Sequence, residues 1–239
     1  VTAPLVLSRA TLQVRPGEGD HERRSTAPYL IHQSVADLFG DRDDRGYLYR
    51  VTGEWSGGAN VLVLSATAPV PAAEVRSPSH RRAVDVESRD FAPVLAPGDT
   101  LDFEIRLNAT QVVTDPDSGR KARTDAWEAM WRADPDTRCT PHDVYGAYLR
   151  RKLSDVANVL EARVTERGEV RARRGDRPRP ILFVAVNVVG TLRVEDPERL
   201  VEVVASGIGR AKAFGCGLLC LSRPGTVLRR RGVGGGLES

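Results

Sequence analysis

The sequence predicts an α+β protein made of two similar halves, each a βαββαβ succession. Three observations carry this. Short alternating or β-branched apolar runs recur along the chain. Stretches with helix-start signals separate them. The composition, 41% hydrophobic and 28% charged over 239 residues, is that of a chain able to bury a core.

In the first half, Leu5–Val14 reads as a strand, followed by a polar turn from Pro16 to Arg24. Pro28 stands at the first position of a helix running to about Phe39, with Leu30, Ile31, Val35, Leu38 and Phe39 on one side. Tyr47–Glu54 and Asn60–Ala66 are β-rich and are joined by Ser56-Gly57-Gly58, a hairpin signal. Pro69 to Pro97 is Pro- and Arg-rich and reads as loop with a short helix. Leu101–Leu107 alternates and reads as the last strand of this half.

The second half starts near Thr110. Asp125–Ala133 is helical in character, and Thr140-Pro141-His142-Asp143 opens a helix to about Leu153 with a cap, a proline and an acid in the first turn. Val156–Val164, Glu169–Arg174 and Pro180–Val188 read as strands, with Thr191–Val194 as an extension. Asp196-Pro197-Glu198 starts a helix ending before Gly207, and Cys216–Ser222 is a final strand. The order is that of two tandem ferredoxin-like units, 1–109 and 110–225, with 226–239 as a solvated Gly- and Arg-rich tail.

Lys and Arg total 35 against 32 Asp and Glu, a net +3, so the distribution of charge matters more than its sum. Lys121, Lys152 and Lys212 are the only lysines. Seven arginines (Arg163, Arg167, Arg171, Arg173, Arg174, Arg177, Arg179) crowd a strand–turn–strand stretch holding only three acids, Glu166, Glu169 and Asp176. A basic ribbon of this kind tracks phosphates, or is simply a solvated, salt-bridged hairpin. With 5% aromatic residues, a broad base-stacking platform is not expected.

Three cysteines without a CxxC pair imply neither a disulfide framework nor a zinc ribbon, and the chain carries no HExxH motif and no His/Cys cluster. No metal or other cofactor is expected. No apolar run approaches the about 20 residues of a membrane span. The first residues lack the pattern of a secretory leader, so a soluble cytoplasmic protein is expected.

Gly207, Gly209, Arg210, Lys212, Gly215 and Gly217 form a glycine-rich stretch between a helix and a strand. It is neither a phosphate loop of the GK[ST] kind nor a dinucleotide fingerprint, whose strand–helix order is the reverse. It either exposes N–H groups to a polyanion or closes a helix with a tight turn. Tyr29 and His32 lie off the apolar side of the first helix, where a phenol and an imidazole three residues apart suit proton transfer, or are merely solvated. His21, His80 and His142 sit in loop or cap contexts.

Taken together, Gly207-Ile-Gly-Arg-Ala-Lys-Ala-Phe-Gly-Cys-Gly-Leu-Leu-Cys-Leu, Leu7-Ser8-Arg9, Pro28-Tyr29-Leu30-Ile31-His32 and the GTLRVEDP segment from Gly190 to Pro197 resemble the CasE family, the Cas6-type endoribonucleases of type I-E CRISPR systems. The resemblance is weakest between about residues 69 and 140. It implies two RRM-like domains that bind a CRISPR repeat hairpin and cut pre-crRNA at its 3′ base, the subunit then staying on the guide with the other subunits of Cascade. It implies His32 and Tyr29 as catalytic residues in a metal-independent attack of the ribose 2′-OH, with the arginine hairpin and the glycine loop binding RNA. Gln33 stands where an Arg is frequent in the family, and Asp37 is acidic. A non-catalytic RNA-binding subunit on the same fold is the alternative.

Overall fold

A computed structural model of the chain describes residues 4–14, 20–40, 46–55, 58–75, 81–114, 119–172 and 179–225, with backbone alone at 14, 20–27, 81 and 82. The tail from 226, residues 56 and 57 of the hairpin turn, His80, and the start of the polar turn at Pro16 lie outside the described residues, as do the side chains of His21 and its neighbours.

The first sheet contains β1 (Leu5–Val14), β2 (Tyr47–Trp55), β3 (Gly58–Ser65) and β4 (Arg81–Phe91), in the antiparallel order β2-β3-β1-β4. That is the strand order of a ferredoxin-like unit. Its two faces are assigned by the period of two along each strand. Leu12, Tyr49, Val61, Val63 and Ala83 meet the helix α1 (Asp20–Asp37) and the turn after it through Ile31, Val35, Leu38 and Phe39. Phe39 stacks on Tyr47 with ring centroids 4.8 Å apart. The opposite face sends Leu48 and Leu64 into the core of the second half, where Leu5, Leu7 and Leu62 also pack.

Two elements here differ from expectation. Helix α1 begins at Asp20 and passes through Pro28, which is inside the helix rather than at its first position. The chain accepts the missing N–H because Glu22, Arg23, Arg24 and Ala27 are good helix formers, and an acid opens the helix. His21 is therefore a helix residue. Among its described residues, the stretch from Pro69 to Pro97 holds a three-residue 3₁₀ turn, Ala72–Glu74, and the strand β4, which was not expected. As an edge strand β4 is loaded with Asp85, Glu87, Arg89 and Asp90, which hides its alternation and keeps a free edge from pairing with other chains.

The second sheet has the order β10-β5-β9-β8, from β5 (Thr100–Leu107), β8 (Ala157–Ala172), β9 (Ile181–Val194) and β10 (Leu219–Ser222). This is a second ferredoxin-like arrangement. The strand at 101–107, counted above as the last of the first half, is the first of the second. It pairs with β9 on one side and β10 on the other. The division between the two units therefore falls between Phe91 and Thr100, earlier than 109. The first sheet is already complete once β4 fills the edge beside β1.

Between β5 and β8 come a small hairpin, β6 (Thr110–Thr114) with β7 (Lys121–Asp125), then α2 (Ala126–Ala133) and α3 (Pro141–Leu153). Asp125 accepts from the N–H groups of Trp127 and Glu128 to start α2, and Thr140 and Asp143 form a reciprocal capping box on α3. Helix α4 (Pro197–Ser206) is capped by Asp196. The three runs expected between 156 and 188 are two continuous strands. β8 spans Thr165–Gly168 by means of bulges near Glu161 and Thr165, and β9 runs on to Val194.

Tyr145, Leu149, Leu153, Leu192, Leu200 and Leu219 centre the larger core. The two sheets are further tied by an ion pair from Arg50 of β2 to Glu104 of β5, both side chains largely buried. Among the described residues no helix is long and apolar enough to cross a membrane.

Candidate active site

A cleft of about 340 Å³ opens where the two halves meet. The first half contributes His32 from α1 and Gly46, Tyr47 and Leu48 at the start of β2. The second contributes Ala205 and Ser206 at the end of α4, with Lys212 and Ala213 from the glycine loop. His32 is half-buried, on the flank of the helix between its apolar side and solvent. Tyr29, one turn earlier, lies with its ring centroid 6.1 Å from that of His32. The two rings are thus neighbours on the helix, and it is His32 that lines the cleft.

The glycine loop is shaped by packing. Gly207, at φ 72°, ends α4; a Cβ there would lie 2.7 Å from Leu48 of the first sheet. Gly217, at φ 96°, faces the Ile208 carbonyl at 2.9 Å from such a Cβ, and its own carbonyl accepts from the Ile208 N–H. Both positions require glycine for conformation and for space. Gly209 and Gly215 also have positive φ and lie against the Asn108 carbonyl and the Tyr49 ring. The Tyr49 hydroxyl donates to the Ala213 carbonyl at 2.9 Å, so the loop is anchored to the first half as well as the second. Burial raises the Tyr49 phenol far above its usual range and keeps it a donor.

Within this loop the two cations differ. Arg210 is exposed. Lys212 is half-buried, and its ammonium donates to the Ser206 carbonyl at the C-terminus of α4, where unpaired carbonyls favour a cation. That bond fixes the charge at the cleft wall. An imidazole and an oriented ammonium around one opening, with the Tyr29 phenol beside the imidazole, can move a proton and neutralise a phosphate.

The arginines of the β8–β9 hairpin also separate. Arg163, Arg171 and Arg179 are exposed. Arg173, Arg174 and Arg177 lie outside the described residues. Arg167 is engaged by its own protein: Nε donates to the Tyr145 hydroxyl at 2.9 Å, and Nη2 lies 3.1 Å from Asp125 and 3.2 Å from Glu128. The Tyr145 hydroxyl donates in turn to the buried Asp125 carboxylate. Partial burial works against the charge of Arg167, but the bonds to Tyr145 and Asp125 outweigh it and hold the guanidinium above its ordinary range. Burial first, and then the bond to Asp125, raise the Tyr145 phenol against the opposing pull of Arg167. Asp125 lies 42 residues before Arg167, so nothing local in the arginine run foretells this pairing.

Sequence reasoning also missed two rings. Phe214 of the loop lies 6.1 Å from His32, centroid to centroid, and 5.5 Å from Phe183 of β9. The signal available was the Phe within the glycine stretch, the one aromatic side chain between Gly207 and Gly217.

His142 sits at the start of α3, where its Nδ1 accepts from the Val164 N–H beside the second bulge of β8. Burial pushes the thiols of Cys216 and Cys220 up to about 11, so neither is a nucleophile at neutral pH, while Cys139 is exposed. Among the described residues no three His, Cys, Asp or Glu side chains are grouped to hold a metal ion.

Comparison with known proteins agrees with this layout. The Cascade subunit CasE of Escherichia coli K12 is 28% identical over 198 residues, covering 81% of this chain and 91% of that protein. The crystal structure of Cas6e from the same organism superposes with a TM-score of 0.63 at 22% identity, over 90% of this chain and 99% of the other. Thermus thermophilus Cse3, bound to an RNA representing a pre-cleavage complex, gives 0.65 at 22% identity over 92% and 99%. These structures share the fold. The model of the family described as CRISPR associated protein matches residues 5–223, which takes in both sheets, α1 and the glycine loop, and the chain belongs to that family as a CasE-type member.

Proposed function

We propose that the chain is an endoribonuclease that binds a CRISPR repeat hairpin, cuts pre-crRNA at the 3′ base of the hairpin, and stays with the guide as a Cascade subunit. The observation that carries this reading is the meeting of His32 and Lys212 across one cleft, each from a different half of the chain. The relatedness to CasE supports the RNA class.

In the proposed reaction the 2′-oxygen of the nucleotide before the cut attacks the neighbouring phosphorus. The bond from phosphorus to the 5′-oxygen breaks, leaving a 2′,3′-cyclic phosphate and a 5′-hydroxyl. The 2′-OH loses a proton and the leaving 5′-oxygen gains one, so charge balances with no external reactant. His32, whose side-chain type titrates near neutrality, handles one of these protons. Tyr29 orients the phosphate by its hydroxyl, and the Lys212 ammonium offsets the charge that grows on the equatorial oxygens. Exposed Arg163, Arg171 and Arg179 with Arg210 hold the RNA backbone, together with Arg173, Arg174 and Arg177 of the same run.

The test is incubation of the protein with its repeat RNA in EDTA, with mapping of both product ends. Cutting at the hairpin base with a cyclic or 3′-phosphate and a 5′-hydroxyl is expected. Loss of cutting in EDTA, restored by magnesium while the hairpin stays folded, overturns the metal-independent step. Tight binding without cutting in any buffer favours the non-catalytic RNA-binding subunit.

A further inference from the structure

The rings of Tyr29, His32, Phe214 and Phe183 form a continuous row that runs from α1 across the glycine loop to the β8–β9 hairpin, with successive centroids 6.1, 6.1 and 5.5 Å apart. Phe214 is its middle member and is half-buried. Its position is enforced by the backbone around it. Ala211 is left-handed at φ 54°, Gly215 is left-handed at φ 75°, and the turn between them closes with the Phe214 N–H donating to the Ala211 carbonyl at 2.8 Å. A non-glycine residue held left-handed is costly and persists only where its surroundings demand it. Here the demand comes from both halves: Tyr49 of β2 holds the Ala213 carbonyl, and Gly217 is locked to Ile208 and Arg106. The loop thereby holds one aromatic ring beside the imidazole, at the same 6.1 Å centroid distance as Tyr29. Phe183 backs that ring on β9, next to Leu182, which points the other way and is 53% exposed.

We infer that Phe214 is a positioning residue for the reaction: it fixes the rotamer of His32 against Tyr29 and, through Phe183, ties that rotamer to the RNA-binding hairpin. This rests on the assignment of proton transfer to His32. An imidazole on the rim of an open cleft has rotamers that point away from any phosphate. Two neighbouring rings restrict them before substrate arrives, and misplacing a reacting group by about 1 Å is enough to cost up to about a hundredfold in rate.

The experiment is single-turnover cleavage of the repeat hairpin at saturating protein, with the dissociation constant and the melting temperature measured for each variant. Phe214→Leu is expected to slow cleavage about tenfold with RNA affinity within about twofold, and Phe214→Tyr to restore most of the rate. In the His32→Ala background, Phe214→Leu should slow the residual reaction no further, since a residue that acts through another loses its effect when that other is gone. An equal loss in both backgrounds shows a merely structural role and overturns the inference, as does a wild-type rate for Phe214→Leu. If Phe214→Leu does not fold, Phe183→Leu, which leaves Phe214 in place but removes its backing, gives the same cycle with a loss of about threefold. A wild-type rate for Phe183→Leu then counts against the inference. Full activity of His32→Ala alone overturns the parent assignment, whereas a slow His32→Ala beside a fully active Phe214→Leu overturns only the role of Phe214.

Discussion

The glycine loop and the arginine hairpin lie in the same half of the chain and both carry basic residues, yet they hold their charge in opposite ways. The loop is pinned from both sheets and presents Lys212 by a bond to the end of α4. The hairpin is a long two-stranded ladder whose exposed arginines reach into solvent, and it surrenders one, Arg167, to Asp125, Tyr145 and Glu128. Arginine density in a sequence therefore measures potential charge only. How much is free for a ligand depends on where distant acids end up.

Substitutions at five positions break or sharpen that contrast. The largest effect belongs to the cleft itself: His32→Ala should cut the single-turnover rate by about 10²–10⁴-fold, the usual reach of general acid–base catalysis. RNA affinity should change only a few-fold. Burst-free cleavage at saturating protein reads this directly, and a fully active variant refutes the assignment. Next comes the loop. Gly217→Ala forces a Cβ onto the Ile208 carbonyl at a positive φ, and should lower stability by about 1–3 kcal/mol in a denaturant titration.

On the hairpin, Arg167→Ala leaves the Tyr145–Asp125 pair without its cation and should cost about 1–2 kcal/mol of stability, less than a fully buried pair because Arg167 is partly solvated. Its effect on RNA binding should be smaller than that of Arg171→Ala. The reverse ranking would show that Arg167 leaves its acids to meet RNA. Smallest for the fold is Arg163→Ala with Arg171→Ala. Stability should stay within about 0.5 kcal/mol of wild type, while affinity falls and the slope of log affinity against log salt drops by about one for each phosphate the variant no longer neutralises.

Much of this architecture was legible in the sequence. The caps at Thr140 and Asp196, the hairpin around Gly58 and the apolar stripe of α1 act locally, and local chemistry was enough to place them. Strand β4 was not legible, because an edge strand needs charge where a central strand needs alternation. The start of α1 was missed because a proline suited to a first turn was embedded in good helix formers. The pairing of β5 with the second sheet was invisible for a different reason: alternation shows that a strand exists, while its neighbours are chosen by tertiary packing. At the site, Tyr29, His32 and Lys212 were named from the chain. Phe214 was passed over because a lone phenylalanine carries no chemistry until something stands beside it, and the pairing of Arg167 was not legible because its acids are far away in sequence.

The order in which strands fill the second sheet has a consequence for chain synthesis. The first sheet is assembled from residues 5–91 and is complete early. The second waits for β10, where Leu219 settles opposite Ile105, a closure across nearly half of the chain. Such late, long-range pairing is slow, since the loop entropy is spent before the contacts form. The loop bearing Lys212 and Phe214 immediately precedes β10, so docking of that strand is also what seats the loop against α1. On the ribosome, His32 emerges long before Lys212 and Phe214, and the cleft wall that Lys212 shares with it is completed only once β10 has docked.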